Sequence, residues 1–298
     1  MRFNISVIVC FFYCLSCIAA CDGEPSVAGE CLDLVGISAD SDSIIEFRVC
    51  DSLRTSVTAR YTADADDLYF FDLLANVAGQ IIANGERSLP DRSQRQFVGV
   101  LRDRRIVELG QWSVPGGSAE SDQFFFFGPH DAGESTFFLH VGSLQAGKLK
   151  NVTPLFRANP IYGSRPILVG TQYLAFFEEN GGTQLLDTQS LQRVETELND
   201  CIPQLALRGS TMICSRYSGK LDHFVADVYG NEREKLKQLD GVPFAYDNSN
   251  QLVYFSKREW SSRRMGEVQN WYVLDLNTGT TRSLERAAVI NPISVVQQ

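Results

Sequence analysis

Tyr173-Leu-Ala-Phe-Phe, a loop Glu178-Glu-Asn-Gly-Gly, Gln184-Leu-Leu-Asp-Thr and then Gln192-Arg-Val-Glu-Thr-Glu form the first of three related copies. The second runs Thr211-Met-Ile-Cys-Ser, a loop around Ser218-Gly219, His223-Phe-Val-Ala-Asp-Val and Glu232-Arg-Glu-Lys-Leu. The third is Gln251-Leu-Val-Tyr-Phe, a long loop, Trp271-Tyr-Val-Leu-Asp-Leu and Thr280-Thr-Arg-Ser-Leu. Each copy has two apolar runs rich in aromatic and β-branched residues, a turn, and a more polar strand. Asp187, Asp227 and Asp275 recur near the end of the second run, 40 and 48 residues apart, and Gly230 and Gly279 stand in the turns that follow. Recurrence at one structural position predicts turn-forming carboxylates that accept backbone amide bonds, rather than a ring of catalytic acids.

A period of roughly 40–50 residues with about four short strands per unit is the mark of a β-propeller blade. A lone four-stranded sheet exposes two apolar faces, so such sheets must pack face to face around an axis. The stretch Tyr272-Val-Leu-Asp-Leu-Asn-Thr-Gly-Thr-Thr-Arg resembles the third-to-fourth strand turn of quinoprotein-type and related extracytoplasmic propellers. The chain lacks the Gly-His and Trp-Asp pair, the Kelch glycines and a Ser-Pro-Asp-Gly run, so the resemblance stays generic. The expected fold is all-β: a propeller-like array of four-stranded antiparallel blades, five or six of them, over residues 29–298. An open sandwich of antiparallel sheets is the alternative.

Upstream, Gln123-Phe-Phe-Phe-Phe-Gly with Ser135-Thr-Phe-Phe-Leu-His-Val-Gly reads as a further blade, Leu149-Lys-Asn-Val being its outer strand. The phenylalanine runs are too apolar to face solvent and read as packing between blades. Gln96-Phe-Val-Gly-Val-Leu, Arg105-Ile-Val-Glu-Leu and Ser43-Ile-Ile-Glu-Phe-Arg-Val-Cys50 are also strands, and Ala288 to Val296 is placed to close a ring with the first blade. Leu68, Phe71, Leu74, Ala78 and Ile82 recur at helical spacing, which favours a short helix near 67–83 over a blade strand.

The amino end carries a basic start at Arg2, an apolar run from Val7 to Ile18, and small residues before Cys21. That run falls short of the roughly 20 residues that span a bilayer and has the pattern of an export signal over 1–20. Ile18-Ala19-Ala20-Cys21 resembles the bacterial lipobox. The resemblance implies cleavage before Cys21, acylation of its thiol, and a polar tether over 21–28. Cleavage by a general signal peptidase is the second reading. A eukaryotic secreted protein, with Asn151-Val152-Thr153 as glycan acceptor, is the third. Loss of Cys10, Cys14 and Cys17 with the leader leaves five cysteines, and lipidation of Cys21 leaves an even four: Cys31, Cys50, Cys201 and Cys214. Four allow three connectivities, of which Cys31–Cys50 with Cys201–Cys214 is the local choice. A tight turn at Gly209-Ser210 would set Leu205 opposite Cys214, so the second bond needs another register or a loop position for Cys201.

The chain has 298 residues and a formal net charge of −9, which argues against nucleic acid as partner. It has no nucleophile elbow, no phosphate-binding loop and no Cys-x-x-Cys beyond the leader, so no catalytic residue, metal site or cofactor is expected. The three histidines, 130, 140 and 223, stand apart. His140 and His223 read as packing residues, and His130 as part of a surface loop. The pairs Asp40/Asp42 and Asp64/Asp66 read as turns or caps rather than calcium ligands. The most suggestive stretch is Ser256-Lys-Arg-Glu-Trp260-Ser-Ser-Arg-Arg-Met265-Gly, a loop longer than its counterparts that carries Trp260, Arg258, Arg263 and Arg264. Tryptophan with arginine is the composition of a binding hot spot. Arg92, Arg95, Arg102, Arg104 and Arg105 form a second basic cluster.

The expectation is a lipoprotein held in a bacterial cell membrane, facing the periplasm or exterior, that binds an envelope protein or peptide through its propeller loops. The alternatives are a propeller hydrolase or lyase acting on glycans or lactones, and a structural subunit of an envelope assembly.

Overall fold

The computed structural model describes residues 31–38, 40–50, 55–62, 69–117, 121–129, 137–159, 165–179, 182–198, 200–217, 221–261, 266–284 and 289–294. Their strands run in order as β1 (Cys31–Ser38), β2 (Ser43–Cys50), β3 (Thr55–Thr62), β4 (Tyr69–Val77), β5 (Gln80–Ser88), β6 (Gln94–Arg102), β7 (Arg105–Gly110) and β8 (Ser113–Gly117). Next come β9 (Gln123–Pro129), β10 (Phe137–Gln145), β11 (Lys148–Arg157), β12 (Ile167–Val169), β13 (Tyr173–Glu178), β14 (Gly182–Asp187), β15 (Gln192–Val194) and β16 (Ile202–Ala206). The last eight are β17 (Thr211–Tyr217), β18 (Leu221–Asp227), β19 (Glu232–Lys235), β20 (Val242–Asp247), β21 (Leu252–Ser261), β22 (Gly266–Asp275), β23 (Thr280–Leu284) and β24 (Val289–Ser294).

These strands form six four-stranded antiparallel sheets, five of them made of consecutive strands. The sixth, ordered β24-β1-β2-β3, takes its innermost strand from the far end of the chain, where Ile293 faces Val35 and Val289 faces Ser38. The innermost strands β4, β8, β12, β16, β20 and β24 each touch the next, and β24 returns to β4. The result is a six-bladed propeller closed by its own terminus, as the run from Ala288 suggested.

Burial follows the ring. Each of six hydrophobic clusters lies between one pair of adjacent blades. Side chains alternate across a strand, and β9 shows the consequence. Phe124 and Phe126 enter the cluster with Val77, Ile82 and Val98 of the second blade, while Phe125 and Phe127 enter the one with Leu168, Leu174 and Phe176 of the fourth. All four phenylalanines are fully buried.

The helix expected near 67–83 is instead the hairpin β4–β5. Phe71 pairs with Gly85 and Leu73 with Asn84, so Asp72 is an extra residue that shifts the alternation. That bulge puts Phe71 and Leu74 in the same cluster at a separation of three, mimicking a helical stripe. Ala78 and Gly79, both at positive φ, then reverse the chain.

Both disulfides form. Cys31 and Cys50 face each other across β1 and β2. In the fifth blade Leu205 pairs with Ile213, and an irregularity at Gln204 brings Pro203 opposite Cys214. Cys201 therefore bonds Cys214 from a position just before β16.

Candidate functional site

The recurring aspartates are turn residues. Asp187 Oδ1 accepts the amides of Gln189 and Ser190, Asp227 Oδ1 those of Tyr229 and Asn231, and Asp275 Oδ1 those of Asn277 and Thr278. Bonds from the Ser190 amide, Gln172 and Ser190 Oγ hold the Asp187 carboxyl at about 2. Asp247 makes the same turn with Ser249 and Asn250, a fourth member that the sequence comparison missed because it ends the first strand of its blade, two hairpins before the position of Asp275. Asp42 likewise accepts hydrogen bonds from the hydroxyls of Ser38 and Ser43. No group of three or more His, Cys, Asp or Glu placed to hold a metal occurs among the described residues, and Asp64 and Asp66 lie outside them. His140 is buried, stacked on Phe126, with Nε2 3.3 Å from the Gly128 carbonyl. His223 donates Nδ1–H to the Leu239 carbonyl at 3.0 Å, and burial pushes its pKa down. His130 falls outside the described residues.

The basic stretch after Ser256 is a ribbon rather than a loop. β21 and β22 stay paired out to Arg258 opposite Gln269, Trp260 opposite Glu267 and Ser261 opposite Gly266. The corresponding strand β13 has six residues where β21 has ten. Strands β5 and β10, in the corresponding hairpins of the second and third blades, have nine residues each. The four further residues over β13, at about 3.3 Å each, make the ribbon roughly 13 Å longer than the β13 hairpin. Its base is held by polar bonds. Glu259 accepts hydrogen bonds from Asn270 Nδ2 and Tyr272 Oη and takes an ion pair from Lys257, which also pairs with Asp240 at 2.7 Å. Those bonds hold the Glu259 carboxyl below the usual range, the one from Asn270 contributing most. Arg258 is exposed on β21, whereas Arg263, Arg264 and the tether with Cys21 lie outside the described residues.

The second basic cluster does not gather on one face. Arg92 sits in the β5–β6 turn, on the same end of the propeller as the ribbon tip, because both turns join the second and third strands of a blade. Arg102, Arg104 and Arg105 surround the β6–β7 turn at the opposite end. Arg95 is engaged by Glu108, which also binds Arg87 at 3.0 Å.

Sequence reasoning overlooked the site at the axis. The inner strands enclose a cavity of about 280 Å³. It is rimmed by turns at Gly170-Thr171, Arg208-Gly209 and Asn248, on the end opposite the ribbon. Leu74, Ile167, Phe244 and Ile293 line it where the inner strands pass, their side chains packed into the clusters between blades. Leu205, Ala206 and Leu207 are partly buried, and Asn76, Thr171 and Gln204 supply amides and a hydroxyl. Among the described residues the charged lining is Arg165 and Arg208, with no carboxylate.

Arg165 enters from the segment leading into β12 and donates Nη1–H to the Leu74 carbonyl of β4 at 3.3 Å. This contact spans the third blade, and the thinness of β8 permits it. A Cβ on Gly116 would lie 2.6 Å from Pro166 Cγ and 2.7 Å from the Pro166 carbonyl, so only glycine lets β8 lie this close to the Arg165-Pro166 segment. Protein encloses the guanidinium and pushes its pKa down, though the side chain keeps surface facing the cavity.

No protein-family model matches the sequence, and no curated protein sequence matches it. Solved structures do match. TolB from Acinetobacter baumannii superposes with a TM-score of 0.60 at 12% identity, covering 94% of this chain and 70% of that one. A putative TolB from Agrobacterium tumefaciens gives 0.54 at 10% identity, covering 86% and 90%. A puromycin-hydrolysing peptidase from Mycobacterium tuberculosis gives 0.52 at 12% identity, covering 85% of this chain but 44% of the peptidase. At such identities the likeness establishes the propeller fold alone.

Proposed function

We propose that the chain is an extracytoplasmic propeller scaffold, exported by residues 1–20, lipidated at Cys21 and tethered to a bacterial cell membrane through 21–28, that captures an envelope protein or peptide with the ribbon of its sixth blade. The ribbon carries this reading. It projects a basic, tryptophan-bearing hairpin from a rigid ring on a protein of net charge −9, and function gathers where loops stand on a fixed scaffold. The two disulfides support an oxidising compartment, and the pattern Ile18-Ala19-Ala20-Cys21 supports the anchor. Two or more lipid chains on one cysteine would hold the protein stably at the bilayer.

The test uses the exported protein extracted in mild detergent. Mass spectrometry should find an acylated peptide starting at Cys21 and a co-purifying envelope protein. The double variant Trp260→Ala/Arg263→Ala should lose the partner at least tenfold with an unchanged melting curve. Undiminished capture would exclude the ribbon, and an intact leader on the exported product would exclude the anchor.

A further inference from the structure

We propose that the axial cavity is a binding site for a carboxylate, held by Arg165 at the inner end of the channel and entered from the face rimmed by Gly170, Arg208 and Asn248. The site lies at the opposite end of the propeller from the ribbon and does not depend on the function proposed for it.

Several other arginines of this protein have a carboxylate partner. Arg48 is paired with Asp33, Arg87 and Arg95 with Glu108, Arg193 with Glu178, Arg216 with Glu232 and Arg233 with Asp227. Carboxylates outnumber Lys and Arg by 36 to 27 over the chain, so partners are plentiful. Arg165 has none among the described residues: its one hydrogen bond goes to a neutral carbonyl, and the lining around it offers amides, a hydroxyl and hydrocarbon. A guanidinium stays protonated in proteins and carries five donors. Arg165 is partly exposed at the cavity, and the protein packed around its guanidinium strips part of its water, which lowers its pKa; a cation so placed gains from a counter-charge. The arrangement is a cation prepaid for an anion that comes from outside.

The lining selects the kind of anion. One guanidinium at the inner end matches a single negative charge, and its planar fork fits the two oxygens of a carboxylate. Leu205, Ala206 and Leu207, which are only partly buried, are apolar lining residues with surface left to meet an apolar body behind that group. Arg208, exposed at the rim, would draw anions toward the mouth. A carboxylate of this description can come from a small organic acid or from the C-terminus of a peptide.

The experiment is isothermal titration of the full exported protein in detergent with four probes: hexanoate, acetyl-Leu-Phe with a free C-terminus, the same dipeptide as its C-terminal amide, and inorganic phosphate. At least one carboxylate probe should bind saturably, with the amide and phosphate at least tenfold weaker. Arg165→Gln should abolish binding; Arg165→Lys, which keeps the charge and loses the fork, should weaken it three- to tenfold. Trp260→Ala should leave it unchanged, which separates failure here from failure of the ribbon. Comparable binding of both carboxylates identifies a small-acid site, and binding of the dipeptide alone identifies a chain terminus. Equal binding of acid and amide, preference for phosphate, or no saturable binding by a folded wild-type protein would overturn the assignment. Should Arg165→Gln fail to fold, the Lys variant and the acid-to-amide comparison decide the question.

Discussion

Trp271 tests whether the ring is held by aromatic packing between its first and last blades. The side chain is fully buried, with centroids 5.2 Å from both Phe47 of β2 and Phe244 of β20. It lies in the cluster that joins the first blade to the sixth. Trp271→Ala removes the ring and leaves a cavity, a change that costs about 3–5 kcal/mol in well-packed cores, and its two aromatic contacts place it toward the upper end. Trp271→Phe is the control. Nε1 of Trp271 is buried without a hydrogen-bond partner, so phenylalanine keeps most of the packing and discards a donor that the fold leaves unbonded. Its expected cost is about 1 kcal/mol, because removing an unsatisfied donor offsets part of the lost area. The assay is urea denaturation followed by far-ultraviolet circular dichroism, with the slope checked so that a midpoint shift reads as stability. A loss under about 1 kcal/mol for the alanine variant, or equal losses for both variants, would refute the view that this seam closes the propeller.

Cys201→Ala with Cys214→Ala opens a loop of sequence separation 13; the expected loss is about 3 kcal/mol, read from the same denaturation curves. His223 should make the protein sensitive to mild acid: burial holds its folded pKa below the ordinary imidazole value of 6.5, so below about 6.5 the unfolded chain binds the extra proton and stability falls. The slope is at most about 1.4 kcal/mol per pH unit. His223→Asn should flatten stability between pH 7.5 and 5.5, and an identical slope in the variant would rule out His223 as the source. Gly116→Ala should destabilise by about 1–3 kcal/mol through overpacking against Pro166, and calorimetry showing no change would disprove the close approach.

How far the sequence reached depends on which strand of a blade is considered. The second, third and fourth strands of the last three blades were legible because their apolar alternation and Asp187, Asp227 and Asp275 are local features, made by neighbours in the chain. Apart from β24, the innermost strands were not. Ile167–Val169 is three residues long, and Ile202–Ala206 is interrupted at Gln204, so neither shows a usable period. Asp72 misled in the other direction, since one extra residue in β4 turned a period of two into an apparent period near three and a half. Within the basic stretch, the residue types marked it for attention, but the pairing of Arg258 with Gln269 and Trp260 with Glu267 that makes it a ribbon could not be read from spacing.

By itself the sequence determined that strands come in repeated units, that aspartates turn the chain between them, and that the phenylalanines of β9 must be covered on both faces. Each of these follows from interactions within about ten residues or from the alternation of one strand. Tertiary structure decided the number of blades and the axial cavity with Arg165. Those depend on residues such as Leu74, Gly116, Arg165, Phe244 and Ile293, which converge only when six sheets share an axis, and no local pattern encodes a meeting point to which each blade contributes so few side chains.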